Sequence, residues 1–562
     1  MKNPLPQMNK MSMMKKLSLV ISVCLMIVCS QLAQAQTDDG IDGEVQDAEI
    51  LIEKERKIEL NKEQKLYEFI KWKPERTAPV SKPSEFKWYV YDVANEPMQF
   101  KPAKASVTSK SKSYEHYGKI GFGNYTSPLV DVSLTSMDDP NKILGLNVKH
   151  LSFGKGAVDD ENSASAASGV NVYGALIGEK VKLESVINYR LENNYYYGYP
   201  TGTVVDKNDI KHNGNFLNIG ISALGRQSED LLSYDASINF KHYSDNFEAK
   251  ENTLALDFNT SYGENILLDG EVQLSGYKDT GIDESRTYLR LNPYYRLLLD
   301  ELTLDVGLSI SLQNDDLPDL STSKIFPYAR AKYSLSPDYS VYAKLDGGYT
   351  FNSLYAFATD VAILNQTVGV TNSERLFDLS GGIEGNPIGQ LRVKAEVGFQ
   401  SIRYLPILVN NATDQSRMDI TYDSEESKVF TFKGEAQYKI NAVHQLSAGL
   451  NAYAYSSDGY DQMYHRPTLE VFVSGDHEVI PKLNAQWDFT LVNGLVGQDL
   501  SRTDSDVALD AIPKLDLGLH YQLKEQWGVF LSGENLFNKN YSRYLHYPQR
   551  GIQIKVGATF RL

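Results

Sequence analysis

The chain has 562 residues, of which 42% are apolar, 11% aromatic and 23% charged, with a formal net charge of −16 at pH 7. After the N-terminus no apolar run approaches the ~18 residues that a membrane-crossing helix needs, which excludes a helical membrane protein. The acidic surplus argues against a nucleic-acid partner, which would require basic patches.

In chain order, the first feature is an export signal. Lys15 and Lys16 precede an apolar core, Leu17 to Cys29, and Ala33-Gln34-Ala35 follows it. A charged start, a short apolar middle and an A-x-A site make up a cleaved signal peptide. Residues 1–35 are therefore expected to leave, with cleavage between Ala35 and Gln36. Loss of its four lysines takes the formal charge from −16 to −20. Both cysteines, Cys24 and Cys29, fall inside this segment. Val23 and Val28 precede them, where a lipid-anchored cysteine would need a small residue. The mature chain is thus expected to have no disulfide and no thiol chemistry.

Residues 36–116 differ from everything after them. Ala48 to Trp72 is dense in Glu, Lys, Leu and Ile, a composition suited to an amphipathic helix. Lys73 to Ser113 is rich in Pro, Lys and Ser, and prolines at 74, 79, 83, 97 and 102 forbid continuous regular structure. The segment reads as a periplasmic arm with little core of its own. It serves either as a linker or as a part that docks a partner or fills a lumen; composition alone fits both.

From Tyr117 to Leu562 the text becomes strand, turn, strand. Leu302, Leu304, Val306, Leu308, Ile310 and Leu312 interleave with Thr303, Asp305, Gly307, Ser309 and Ser311. The same alternation runs through 254–262, 266–275, 391–400, 515–523 and the terminal Gly551 to Leu562. A strand sends successive side chains to opposite faces, so each segment has one greasy face and one wet face. The wet face carries full charges: Asp269 with Glu271, Asp305, Arg392 with Lys394 and Glu396, and Asp516 near His520. A sandwich would tolerate these only on its solvent side. A transmembrane barrel places them on a water-filled lumen, and these eight residues are the lumen-facing candidates.

Connections alternate in length. Short turns fall at 263–264, 300–301, 336–338, 386–389, 441–442 and 524–525. Long polar loops are expected at 155–168, 198–213, 276–285, 313–323, 352–373, 409–426, 455–464 and 495–510. Short periplasmic turns opposite longer external loops, with about 22 strands in all, describe a large antiparallel outer-membrane β-barrel. The fold class is all-β, and outer-membrane lipid is the expected surroundings.

Glu534-Asn535-Leu536-Phe537-Asn538-Lys539-Asn540-Tyr541 stands before the terminal strand. With that strand it resembles the end of the barrel domain of TonB-dependent receptors of Gram-negative outer membranes. Lys119 to Tyr125, Lys149 to Ser152, Tyr195 to Tyr199 and Ile52 to Arg56 are similar to a Bacteroidetes group of such barrels. The resemblance implies uptake or transport across the outer membrane. Before the barrel there is no glycine-rich plug-like strand pattern and no TonB box, and the chain ends in Leu562 rather than an aromatic residue. A barrel near 22 strands needs its lumen blocked. The arm, infolded loops or a partner subunit is therefore expected to fill it.

Enzymatic motifs are missing. The nine histidines form no H-E-x-x-H or His/Cys cluster, and no G-x-S-x-G elbow or P-loop occurs. No cofactor or metal is expected, and Asp516 with His520 reads as polar lumen wall rather than a dyad. Two functions remain: uptake without a plug, with partners, or a structural or assembly component whose arm docks a periplasmic protein. The sequence names no substrate.

Overall fold

The computed structural model describes residues 116–562, apart from 201, 226–230, 366, 501, 503 and 504. The signal peptide, the Ala35–Gln36 cleavage site and residues 36–115 of the arm lie outside the described residues.

Twenty-two strands form one antiparallel sheet that closes on itself. The count agrees with the expectation from the sequence. The first strand, β1 (His116–Gly123), pairs with β2 (Ser127–Asp139) on one side and with the last strand, β24 (Gln553–Arg561), on the other, while β20 (Val496–Gln498) and β21 (Asp506–Ala508) pair only with each other as a separate ribbon. Tyr117 faces Arg561 and Phe122 faces Val556 across the seam. Closure leaves no sheet edge, so every strand finds a partner for its backbone N–H and C=O groups.

The alternation read in the sequence becomes two faces. On β11 (Leu302–Gln313), Val306 is 47% exposed while Asp305 beside it is 1% exposed. Ser309, Ser311 and Gln313 are buried with Asp305. Around the ring the exposed side chains are Leu, Ile, Val, Phe and Tyr, among them Ile120, Leu144, Ile221, Ile325 and Val556. So much contiguous apolar surface must be covered by something other than water.

Consecutive connections alternate between two ends. At the turn end the links are brief, such as 263–265, 300–301 and 337–338. At the loop end lie 154–164, 196–210, 314–322, 351–372, 411–417, 458–468, 494–511 and 535–552. One expected long loop is absent. β9 (Ile266–Asp279) and β10 (Ile282–Leu299) continue through 276–285 and meet in the two residues Thr280-Gly281. Gly281 there has φ +80°, a left-handed geometry that glycine adopts without a Cβ clash. The polar text of 276–285 belongs to strands that run past the apolar belt. β15 (Leu391–Asn410) and β16 (Met418–Lys439) likewise extend into the expected loop 409–426, leaving only 411–417.

A charge on the apolar face should be costly in a bilayer. Val306→Arg is expected to lower folding stability by roughly 2–4 kcal/mol if it sits near the midplane. Urea titration of protein refolded into lipid vesicles measures it, and an unchanged midpoint would place this face elsewhere.

Candidate functional site

The loop between β13 (Tyr339–Thr350) and β14 (Ser373–Ile388) does not stand out in solvent. Residues 351–372 fold back as a strap whose Leu354, Ala358, Val361, Ile363, Leu364, Val368 and Val370 are buried. They pack with Tyr196, Phe216, Tyr243, Tyr277, Met418 and Tyr547 in the largest apolar cluster among the described residues. The expectation of a long polar loop here is overturned. Burying a Leu, Ile or Val side chain contributes ~1.5–3 kcal/mol, and the strap offers several.

A short helix, α1 (Leu354–Asp360), starts the strap. The Ser353 hydroxyl accepts from Ala356 N at 3.1 Å, an ordinary N-cap. The helix has no acidic residue in its own first turn. Glu251 of β8 (Lys250–Tyr262) supplies one: its buried carboxylate accepts from Tyr355 N at 2.8 Å. A carboxylate at a helix N-terminus is favoured by the helix dipole.

The remaining strap backbone is satisfied from several directions. Tyr196 donates to Leu364 O at 2.6 Å, His212 Nδ1 to Ala362 O at 2.9 Å and Tyr277 to Val368 O at 2.7 Å. Met418 N donates to Ile363 O, and Asn365 N to Met418 O. Segments far apart around the ring thus touch one strap, which therefore lies inside the ring. A buried backbone group needs such partners.

Both ends of the strap meet in one clasp. Arg286 of β10 donates to both oxygens of Asp315, at 3.0 and 2.8 Å. It also donates to Asn352 O at 2.6 Å and to Asn372 Oδ1 at 2.7 Å. Asp315 accepts in turn from Asn372 N at 2.7 Å and Thr371 Oγ1 at 3.2 Å. Both charged side chains are buried, and the Phe351 ring covers the guanidinium at 4.6 Å. Asn352 Nδ2 donates to Thr371 O and Ser373 Oγ, each at 2.8 Å, tying the strap's two ends together. The planar fork of arginine suits this bidentate task.

Other loops close over the strap. Tyr547 of loop 535–552 donates to Ser416 O, and its ring lies 4.7 Å from Tyr197. Arg550 donates to Lys155 O, Ser163 O and Ser165 Oγ. The E-N-L-F-N motif shapes this loop: Asn535 Nδ2 donates to Lys539 O and Arg550 O, and Asn538 Oδ1 accepts from Ile552 N. Its asparagines are turn braces. Residues 195–199 serve the same cap, as Tyr196 and Tyr197 anchor neighbouring loops.

Neither a protein-family model nor a curated protein matches this sequence. Solved structures do. The FrpB iron transporter of Neisseria meningitidis, as apoprotein, superposes with a TM-score of 0.61 at 13% identity, covering 80% of this chain and 81% of that one. The pyoverdine outer membrane receptor FpvA of Pseudomonas aeruginosa gives 0.59 at 11%, covering 81% and 79%. The ferric-catecholate import receptor Fiu of E. coli gives 0.57 at 10%, covering 80% and 82%. These are TonB-dependent receptors, not enzymes. This chain has the TonB-dependent receptor barrel fold.

Within this receptor-type barrel the eight charged candidates fall into three groups. Asp269 and Glu271 on β9 and Asp305 on β11 stand on the two sides of β10. Arg296 grips Asp305 at 2.6 and 2.8 Å, Asn292 stands opposite Asp269, and Arg290 stands opposite Glu271. Arg392, Lys394 and Glu396 form a second wall on β15. Lys394 reaches Glu396 at 3.4 Å, and Tyr342 donates to Glu396 at 2.5 Å. Asp516 and His520, on β22 (Ile512–Gln522), sit four residues apart on one strand, roughly 13 Å at the usual rise. Asp516 accepts from Asn535 N and Lys514, while His520 Nε2 bonds Thr559 Oγ1 at 2.8 Å. They hold separate partners and are not a dyad. Among the described residues no three His, Cys, Asp or Glu side chains converge as a metal site needs.

The strap's anchors Glu251, Arg286, Asp315 and Tyr547 were not singled out from the sequence. The usable signal was the strap itself, whose apolar content is too high for a solvated loop.

Removing one member of the clasp leaves a buried charge unpaired. Arg286→Ala is expected to cost about 3–5 kcal/mol and to speed proteolysis within 351–372. Arg286→Met with Asp315→Leu should recover most of that loss; equal losses from both variants would mean that charge pairing is not what holds the strap. His465, in loop 458–468, is buried, with neither ring nitrogen hydrogen-bonded. Burial, and then the nearby Arg543 charge, push its pKa down to about 3. An unfolded histidine titrates near ~6.5, so the unfolded chain binds the extra proton between those values. Stability is therefore lost as pH falls from about 6.5 toward 3. His465→Phe should flatten that acid limb, read as the difference in denaturation midpoint between pH 7 and pH 4.

Proposed function

We propose that this protein is an exported outer-membrane barrel that serves in uptake, with the strap 351–372 as its external barrier. The observation that carries the reading is the buried Arg286–Asp315 clasp, which ties both strap ends inside the ring. A 22-stranded barrel has a lumen wide enough that known examples are plugged. The arm, infolded loops or a partner subunit would do that work here. The strap does so at the loop end, and residues 36–116, which lead into β1 in the sequence, are a second candidate.

The exposed apolar face meets lipid, and the charged rows, including Asp269, Glu271, Arg392, Lys394, Glu396 and Asp516, line an aqueous interior. Support comes from alternation: these residues stand on the polar side of their strands, as do Arg286 and Tyr277, which touch the strap. In this reading residues 1–35 act as the signal for export to the periplasm, and residues 36–116 are assigned to contact with periplasmic or outer-membrane proteins. The three solved structures are an iron transporter, a pyoverdine receptor and a ferric-catecholate import receptor, and this chain shares their barrel fold alone.

A second reading is a structural or assembly component with a sealed barrel whose arm docks a periplasmic protein. The fully bonded clasp favours it, because a permanent seal would be built in the same way.

Planar-bilayer recordings test the first reading. The mature protein is expected to conduct little. Replacing 353–371 by a Gly/Ser linker and deleting 37–113 should together give a stable, large conductance. Large conductance from the unaltered protein would overturn occlusion. If the arm deletion changes only which proteins co-purify, the docking reading takes its place.

A further inference from the structure

We propose that His444 and His477, a cross-strand pair on the outer face of the barrel at its turn end, bind a divalent ion of the copper and zinc class. His444 opens β17 (His444–Ser457), and His477 lies near the end of β18 (Leu469–Ile480). The two are direct partners in the antiparallel ladder, and their Nδ1 atoms stand 3.3 Å apart.

Alternation sets the face. His444 shares its side of β17 with Leu446, Ala448, Leu450 and Ala452, and His477 shares its side of β18 with Val471, Val473 and the exposed Val479. Both histidines adjoin the short connections 440–443 and 481–482. Tyr262, Tyr333, Tyr521 and Trp527 are exposed beside other short turns, as an aromatic girdle at one membrane boundary would be. The pair sits at that level, where water can reach it, and outside the lumen. It is therefore independent of what fills the barrel.

The geometry is held from three directions. Glu478 N donates to Val443 O at 3.0 Å, and Val443 N donates to Asn441 Oδ1 at 2.9 Å, so the turn before His444 is tied to β18. The His477 ring stacks on Trp487 of β19 (Leu483–Asn493), with centroids 6.4 Å apart and planes at 27°. Gly475 makes that stack possible: a Cβ there would fall 2.4 Å from Trp487 Nε1 and 2.6 Å from His477 Nε2.

The spacing selects the ion. Zinc–imidazole bonds of about 2.0–2.1 Å at tetrahedral angles place two ligand nitrogens roughly 3.3–3.4 Å apart. Without a metal, the two Nδ1 atoms share one proton, which one ring donates to the other. A metal would replace that proton, each ring then carrying its hydrogen on Nε2. Neutral imidazoles suit copper, nickel and zinc. Calcium and magnesium want oxygen ligands, and the nearest carboxylates, Asp476 and Glu478, alternate onto the lumen side. Two protein ligands are fewer than a closed structural site uses, so water would complete the shell and binding would be reversible.

The test is calorimetric titration of the full-length protein, purified in detergent without a polyhistidine tag, with Cu2+ and Zn2+, and with Ca2+ and Mg2+ as controls. One equivalent of Cu2+ or Zn2+ should bind, and His444→Gln and His477→Gln should each raise its Kd at least tenfold. A metal that bridges two strands binds the folded chain alone, so Zn2+ should raise the urea midpoint of the parent in lipid vesicles and leave that of His477→Gln unchanged. Electron paramagnetic resonance of the copper-loaded parent should show coupling to two nitrogens, a reading that requires no variant to fold. The proposal is overturned if neither Cu2+ nor Zn2+ binds, or if both variants bind as tightly as the parent. It is equally overturned if the copper spectrum shows fewer than two nitrogens, or if Ca2+ or Mg2+ competes.

Discussion

Width is the constraint on which the rest of this structure depends. A ring of 22 strands encloses more space than its own inward side chains can fill, and an empty one would be a hole. Hydrogen bonding forces the ring to close, since in hydrocarbon no edge strand could leave its backbone groups unpaired. Closure and width together demand a second structure inside. In this chain part of that second structure is the strap 351–372, which the barrel borrows from one of its own connections.

The strap illustrates how a segment becomes interior. Its apolar side chains supply the driving force, but its helix start and its carbonyls would be liabilities without partners. Glu251, Tyr196, His212 and Tyr277 remove those liabilities one by one. The Arg286–Asp315 pair adds location more than energy. A buried ion pair often does no better than apolar residues of equal volume, but it tolerates few alternative positions. With Asn352 and Asn372 bonded to the same guanidinium, the two ends of the strap are fixed to one point.

The barrel was legible because period-two alternation is a local property, visible in Leu302 to Leu312 without knowledge of neighbours. Loop ends were less so. Polar text at 276–285 reads as loop, since a strand that leaves the apolar belt loses its alternation while keeping its pairing, as Lys278 with Asp283 and Ser285 with Gly276 show. The strap failed in the opposite sense. Ser353, Asn352, Thr371 and Asn372 gave 352–373 a polar outline, while Leu354, Val361, Ile363, Leu364 and Val368 within it marked burial. The clasp's ion pair follows from hairpin register, since Tyr288 pairs with Gln313 and two residues further on Arg286 stands opposite Asp315, but no sequence spacing brings Asn352 and Asn372 to the same guanidinium.

The loop end is also divided. Strap contacts come from β5 (Val181–Tyr195) through β10, from β16 and from loop 535–552, whereas the region around Tyr455 and Tyr460 has its own apolar floor and its own buried carboxylate, Asp423. The two are joined mainly by Arg543, which donates to His465 O at 3.2 Å from the same loop that carries Tyr547. Loop 458–468 thus meets the cap through loop 535–552 rather than through the strap. His465 lies on that route, and burial disfavours its charged form. Protonation would introduce a charge where the packing provides no partner, and the link would loosen there first.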